Sequence, residues 1–135
     1  MKIVKKLILA FSIGVVSLLV QGCATPQATW KSLPEVTQNS HEQSWAIIVN
    51  VVTDKYNLEM NDINQGYLKS SWKESTGLAL MWRTRVNLRV ESKKPLKYQV
   101  KIEREYQDSK GHWYAQGTDK KIEDALIKEI TEKLK

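Results

Sequence analysis

Between residues 80 and 106 the side chains alternate with period two, and nothing else in the chain restricts its fold as tightly. In Leu80–Glu91, Leu80, Trp82, Thr84, Val86, Leu88 and Val90 alternate with Met81, Arg83, Arg85, Asn87, Arg89 and Glu91. After "SKKP", Leu96, Tyr98, Val100, Ile102 and Tyr106 alternate with Lys97, Gln99, Lys101, Glu103 and Glu105. Successive side chains of a strand point to opposite faces, so each segment has one dry face and one wet face. Joined by a short polar turn, the two predict an antiparallel hairpin. Charge then selects the register. Pairing Glu91 with Lys97 sets Arg85 opposite Glu103 and Arg83 opposite Glu105 on the wet face. The same register pairs Leu88 with Val100 and Val86 with Ile102 on the dry face. A slip of two residues would set Arg89 against Lys97, and like charges directly opposite are destabilising. Arg104 is the exception on the dry side and is expected near a sheet end.

Flanking segments complete a domain around this hairpin. Ser40-His-Glu-Gln43 has the spacing of a capping box. Trp45, Ile48, Val49, Val52 and Tyr56 follow at helical spacing. "AIIVNVV" is rich in β-branched residues and compatible with a strand, but the cap, the stripe and Asn57 as a left-handed stop favour a helix. "GYLKSSWKES" (66–75) is a weaker strand turning at Thr76-Gly77. "DSKG" (108–111) is a turn before a short strand in "HWYAQ". Asp119 can cap a last helix with a stripe of Ile122, Ala125, Leu126, Ile130 and Leu134, and Asp124–Lys128 and Glu129–Lys133 are i,i+4 pairs in the favourable order. The expected fold class is α+β. Specifically, it is a two-layer sandwich in which a four-stranded antiparallel meander carries both helices on one face, in the order α-β-β-β-β-α.

The N-terminus reads as an address, not as part of the fold. "MKIVKK" carries three lysines, and Leu7–Val20 is an apolar or small run of 14 residues. As a helix that run spans about 21 Å, short of a ~30 Å hydrocarbon core, so a secretory signal fits better than a membrane span. Val20-Gln21-Gly22-Cys23 resembles a bacterial lipobox. That resemblance implies a signal peptide over residues 1–22, cleavage before Cys23 and lipid attachment to Cys23. Ala24 behind it is similar to lipoproteins sent on to the periplasmic side of the outer membrane. Cys23 is the sole cysteine, so its acylation leaves no thiol for a disulfide, a metal or a nucleophile. Residues 23–39, with Pro26 and Pro34, are expected to form a tether, with Trp30, Leu33 and Val36 folding back or docking; residues 40–135 are the single globular domain.

Charge and motifs exclude more than they assign. The formal charge is +6, from 21 basic and 15 acidic side chains. Removing the signal and its three lysines leaves 18 against 15, a net +3. That is too mild for a nucleic-acid partner. His41 and His112 have no nucleophile signature beside them, and neither metal-ligand spacing nor a phosphate loop is present. No catalytic residue, metal or cofactor is expected. The wet face would present Lys69, Lys73, Arg83, Arg85, Arg89, Lys97 and Lys101 around Tyr67 and Met81. Its two readings are a solvated sheet surface and a binding surface for an envelope protein, an anionic lipid or a polysaccharide. Of five tryptophans, Trp45, Trp72 and Trp82 fit the core, while Trp30 and Trp113 are freer to meet a partner. The candidate surface is therefore Trp30, Tyr67, Lys69, Arg83, Arg85, Arg89 and Trp113.

"YLKSSW", "RTRVNLRV", "LKYQVKIEREY" and a closing amphipathic helix, behind a lipid-type cysteine, resemble the helix-grip domains of the C lipoprotein of the outer-membrane β-barrel assembly machinery. The resemblance spans residues 41–134 and rests on element order, Trp72 and the Arg83-x-Arg85-x-x-Leu88-x-Val90 strand. It implies an accessory, non-catalytic role in outer-membrane protein assembly, on a membrane-anchored chain with an envelope protein as partner. The competing expectation is a lipoprotein that binds lipopolysaccharide or another lipid through the basic face.

Overall fold

A computed structural model describes residues 25–135. Cys23 and the signal-like stretch lie outside the described residues. The chain order is β1 (Lys31–Ser32), α1 (His41–Thr53), β2 (Leu58–Asp62), β3 (Tyr67–Ser70), β4 (Lys73–Thr76), β5 (Met81–Lys93), β6 (Leu96–Gln107), β7 (Trp113–Ala115) and α2 (Lys120–Lys133). The fold is α+β, with two helices and one antiparallel sheet. The sheet has seven strands, not four. The expected first lane is broken into β3 and β4, both paired to β5, and two strands were not anticipated, β1 on β6 and β2 on β3.

Both helices start where side chains satisfy the free amides of a first turn. Ser40 and Gln43 form the reciprocal capping box of α1, and the Asp119 carboxylate accepts from the Ile122 amide at 3.1 Å. α1 ends on Asp54 in right-handed geometry, and among the described residues no non-glycine has positive φ, so Asn57 is not a left-handed stop. The buried stripe of α1 is Trp45, Ile48, Val51 and Val52, with Val49 only half-buried. At 3.6 residues per turn Val49 lies about 100° round from Ile48, at the stripe's rim, while Val51 lies only about 60° away. Ala125 is exposed for the same reason, about 100° from Leu126; Glu123 takes the inward position instead. Asp124 pairs backwards with Lys120 at 2.6 Å, not forwards with Lys128, while Glu129 and Lys133 meet at 3.6 Å as expected.

These stripes meet Leu68, Val86, Leu88, Tyr98, Val100 and Ile102 from the sheet's inner face in one core. Leu33 and Val36 join it from the N-terminal segment. That segment is pinned by Leu33 N–H donating to the Tyr98 carbonyl and Val36 N–H to the Leu96 carbonyl, at 2.8 and 2.9 Å. The stretch expected as a tether thus lies against β6 from Lys31 onward.

The hairpin register is the expected one over most of its length. Arg83 faces Glu105, Arg85 faces Glu103, Val86 faces Ile102 and Leu88 faces Val100. Toward the turn it shifts by one, so that Lys97 faces Ser92 and Glu91 is bulged out of the pairing. The strands run on to Lys93 and Leu96, and the bulge absorbs the residue that this closer turn would otherwise displace. A second one-residue shift divides β3 from β4: Lys69 faces Asn87, but Lys73 faces Thr84. At the break the buried Ser70 hydroxyl accepts the Val86 amide at 2.9 Å, replacing a ladder bond.

Candidate binding surface on the outer sheet face

Period two sends Arg83, Arg85, Asn87 and Arg89 to the face away from the helices, opposite Glu105, Glu103, Lys101 and Gln99. All seven expected surface residues lie here, and most are engaged with neighbours. Arg83 pairs with Glu105 at 2.6 Å and Arg85 with Glu103 at 2.8 Å. Arg89 donates to the Gln99 side-chain oxygen at 2.8 Å. Lys69 reaches Glu59 on β2 at 3.4 Å. The pairing of Arg83 and Arg85 with acids across the hairpin is the one the register predicts, and Lys69 and Arg89 are engaged as well.

Indole rings hold the guanidinium groups from the sides. Arg83 lies between Trp72 and Trp113, 4.4 and 4.2 Å from their ring centres, and Arg85 lies 4.3 Å from that of Trp72. Trp30, from the segment against β6, carries Arg89 at 4.2 Å and Lys101 at 4.9 Å. The positive groups sit over negative ring faces, an attraction that strengthens as water is excluded. Trp72 is a correction: it was expected in the core. The one-residue shift between β3 and β4 inverts which residues face outward, and Trp72 follows that inversion. Trp82 is also not core. It keeps the inward parity, but beyond the ends of the helices, half-buried, with Arg104 over its ring at 5.5 Å. Arg104 is itself tied to the α2 cap through Asp119 at 3.1 Å.

The centre of the face is Asn87, whose character the sequence reading missed. It is 2 % exposed although it faces outward. The Tyr67 hydroxyl donates to its oxygen at 3.2 Å, and its amide nitrogen donates to Glu103 at 2.7 Å. Burial disfavours the charged form of the Glu103 carboxyl, but hydrogen bonds from Arg85 and Asn87 outweigh it and hold the carboxyl below its ordinary value. Tyr67, Asn87, Glu103, Arg85, Trp72, Arg83 and Trp113 thus form one connected layer. A neutral amide flanked by arginines on a wet face was the one sequence signal for it.

The two histidines differ. His112 is exposed beside the Asp108–Gly111 turn, 3.6 Å from Asp108. His41 is half-buried, with Nε2 2.9 Å from the Ile63 carbonyl and Nδ1 2.9 Å from the Tyr98 hydroxyl. A carbonyl only accepts, so in the neutral ring Nε2 carries the proton and Nδ1 accepts from Tyr98. Burial pushes the Tyr98 phenol up to about 12, which keeps it a donor. His41 links α1 to β6 and to the segment after β2. Among the described residues no cluster of three or more His, Cys, Asp or Glu is placed to hold a metal ion. No protein-family model and no curated protein sequence matches the chain.

Proposed function

We propose that this protein is a non-catalytic envelope lipoprotein, held by lipid on Cys23 at the periplasmic side of the outer membrane, whose outer sheet face docks an envelope protein. The observation that carries the reading is the state of Arg83, Arg85 and Arg89 on that face. A site for lipopolysaccharide or another anionic lipid needs cations free to meet phosphate. Here Glu105 and Glu103 neutralise two of the arginines and Gln99 holds the third. What remains outward is a layer of stacked indole, guanidinium and amide groups. Arg, Trp and Tyr are the residue types that dominate protein–protein hot spots. Side chains already held in place lose little freedom on docking. The sequence likeness to the helix-grip domains of the barrel assembly machinery's C lipoprotein, in Trp72, the Arg83-x-Arg85-x-x-Leu88-x-Val90 strand and the closing helix, supports an accessory role in outer-membrane protein assembly.

A photo-reactive phenylalanine analogue at Tyr67 or Trp113, in the full chain in its own envelopes, tests this. The expected product is a crosslink to one envelope protein from both positions. Failure to crosslink, together with lipopolysaccharide binding that disappears in Arg83→Glu/Arg85→Glu, would reject it for the lipid-binding alternative.

A further inference from the structure

Strands β4 to β7 run on past the ends of both helices. The last inner-face contacts between helix ends and sheet are Tyr56 with Thr84, hydroxyls 2.9 Å apart, and Asp119 with Arg104. Beyond them the sheet projects alone through Met81–Arg83, Glu105–Gln107 and β7. It ends in the turn Gly77–Leu80, which joins β4 to β5. From Thr76 to Trp82 no residue is charged. Leu78 is fully exposed, and Leu80 and Met81 are 57 % and 36 % exposed. Tyr114, also exposed, stacks on Tyr106 just behind them, ring centres 5.4 Å apart.

The turn is a built structure. Gly77 N–H donates to the Leu80 carbonyl at 2.9 Å, and the Trp82 indole packs where a Gly77 side chain would begin, with a Cβ there 2.5 Å from the ring. The backbone folded tightly over Trp82 leaves the Leu78 side chain in open solvent. A single exposed leucine is ordinary, whereas a contiguous uncharged apolar tip marks a contact site.

The course of the N-terminal segment indicates what meets it. The Pro26 carbonyl accepts from Gly117 N–H, and the Gly117 carbonyl accepts from Arg104 N–H, at 3.2 and 3.0 Å. The described chain therefore begins beside Arg104. Gln107, which faces Met81 across the sheet, is three residues further along β6, about 10 Å on a strand. Cys23 precedes Pro26 by three residues, a reach of about 10 Å. Lipid on Cys23 is therefore within reach of the apolar end of the sheet and out of reach of the Lys94–Pro95 turn, about 25–30 Å from Arg104 in the other direction. The neighbouring Asp108–Gly111 turn adds Lys110, while the Asp108 carboxylate is occupied by the amides of Lys110 and His112 at 2.8 and 2.9 Å.

We propose that the Gly77–Met81 tip seats in the phospholipid surface beside the lipid on Cys23, so that the domain stands on the bilayer at two points with its sheet upright. The orientation rests on the lipid attachment proposed above. The two can fail separately, because an acylated Cys23 makes any introduced cysteine the sole free thiol. The full chain carrying Leu78→Cys, or Lys94→Cys at the opposite turn, is labelled with an environment-sensitive dye. Each labelled chain is reconstituted in phosphatidylethanolamine–phosphatidylglycerol vesicles containing nitroxide-bearing lipid. The expected result is a blue-shifted, quenched dye at position 78 and an unquenched one at 94. Adding Leu80→Asp should abolish the quenching at 78 while leaving the near-ultraviolet circular dichroism unchanged. Equal quenching at the two positions, quenching at 94 alone, or shielding at 78 only when an envelope protein is added would each overturn the seating. Dye uptake by the unmutated chain would reject the Cys23 attachment alone. The Cys23→Ser/Leu78→Cys chain then decides the tip, and an unquenched dye there overturns it as well.

Discussion

The two faces of the β5–β6 hairpin come from one alternating sequence and are ordered by different physics. The inner face, Val86, Leu88, Val100 and Ile102, is fully buried beneath two helices. Its order follows from apolar area removed from water, which is non-directional and large. The outer face keeps Arg83 and Arg85 about one-fifth exposed, with carboxylates and indoles on either side. Pairs of that kind are individually weak near water, but they are directional. The inner face makes the domain stable, and the outer face fixes where each surface group stands. A face arranged in this way is suited to recognition without carrying the fold.

That division can be broken first on the inner side. Ile102→Ala should lose about 2–5 kcal/mol of stability, the usual range for truncating a buried isoleucine, read as a lower urea midpoint with an unchanged slope. The next largest effect belongs to the outer layer's half-buried carboxylate, Glu103. Glu103→Gln leaves Arg85 without its charge partner and should cost about 1–2 kcal/mol. Because the folded Glu103 carboxyl lies below its ordinary value of 4.5, its contribution is present above that pH and lost as pH falls through the folded value. The variant should therefore show a shallower acid limb in a pH series of urea midpoints. Arg83→Lys should have the smallest effect, about 0.5–1 kcal/mol, since it keeps the charge and loses the planar stacking. Its readout is a change in tryptophan emission from Trp72 and Trp113 with little movement of the midpoint. A cost as large as that of Ile102→Ala would show that the outer layer carries the fold after all.

The hairpin was legible because charge and parity agree at Arg83–Glu105, Arg85–Glu103, Val86–Ile102 and Leu88–Val100, with Arg104 the one exception. Each of those residues has one partner and one face, so the pattern fixes the register. The shifts at Glu91 and at Ser71–Trp72 were not legible. A bulge is set by turn length and by a side chain such as Ser70 standing in for backbone, and alternation does not encode either. The second shift moved Trp72 from the expected core to the outer layer, beside Arg83 and Arg85. β2 (Leu58–Asp62) was missed because it is an edge strand with no apolar alternation, its middle residues exposed. Of the outer face, the Arg83–Glu105 and Arg85–Glu103 pairs were legible from the register, whereas the indole rings of Trp72 and Trp113 beside the guanidinium groups were not, because alternation does not encode the shift that turns Trp72 outward. The helix errors, Val49 and Ala125, are both residues at a stripe's rim, where spacing alone does not separate half-buried from exposed.

The short strand β1 and the three-residue β7 lie end to end along the outer edge of β6. A strand of this length with a bare edge is a template on which a second chain can polymerise. Here the two ends of that edge are closed by segments far apart in sequence, one from before α1 and one from just before α2. The N-terminal segment thus covers part of an edge that would otherwise be open to self-association. It is made before the strand it protects, so it is already at hand when β6 emerges.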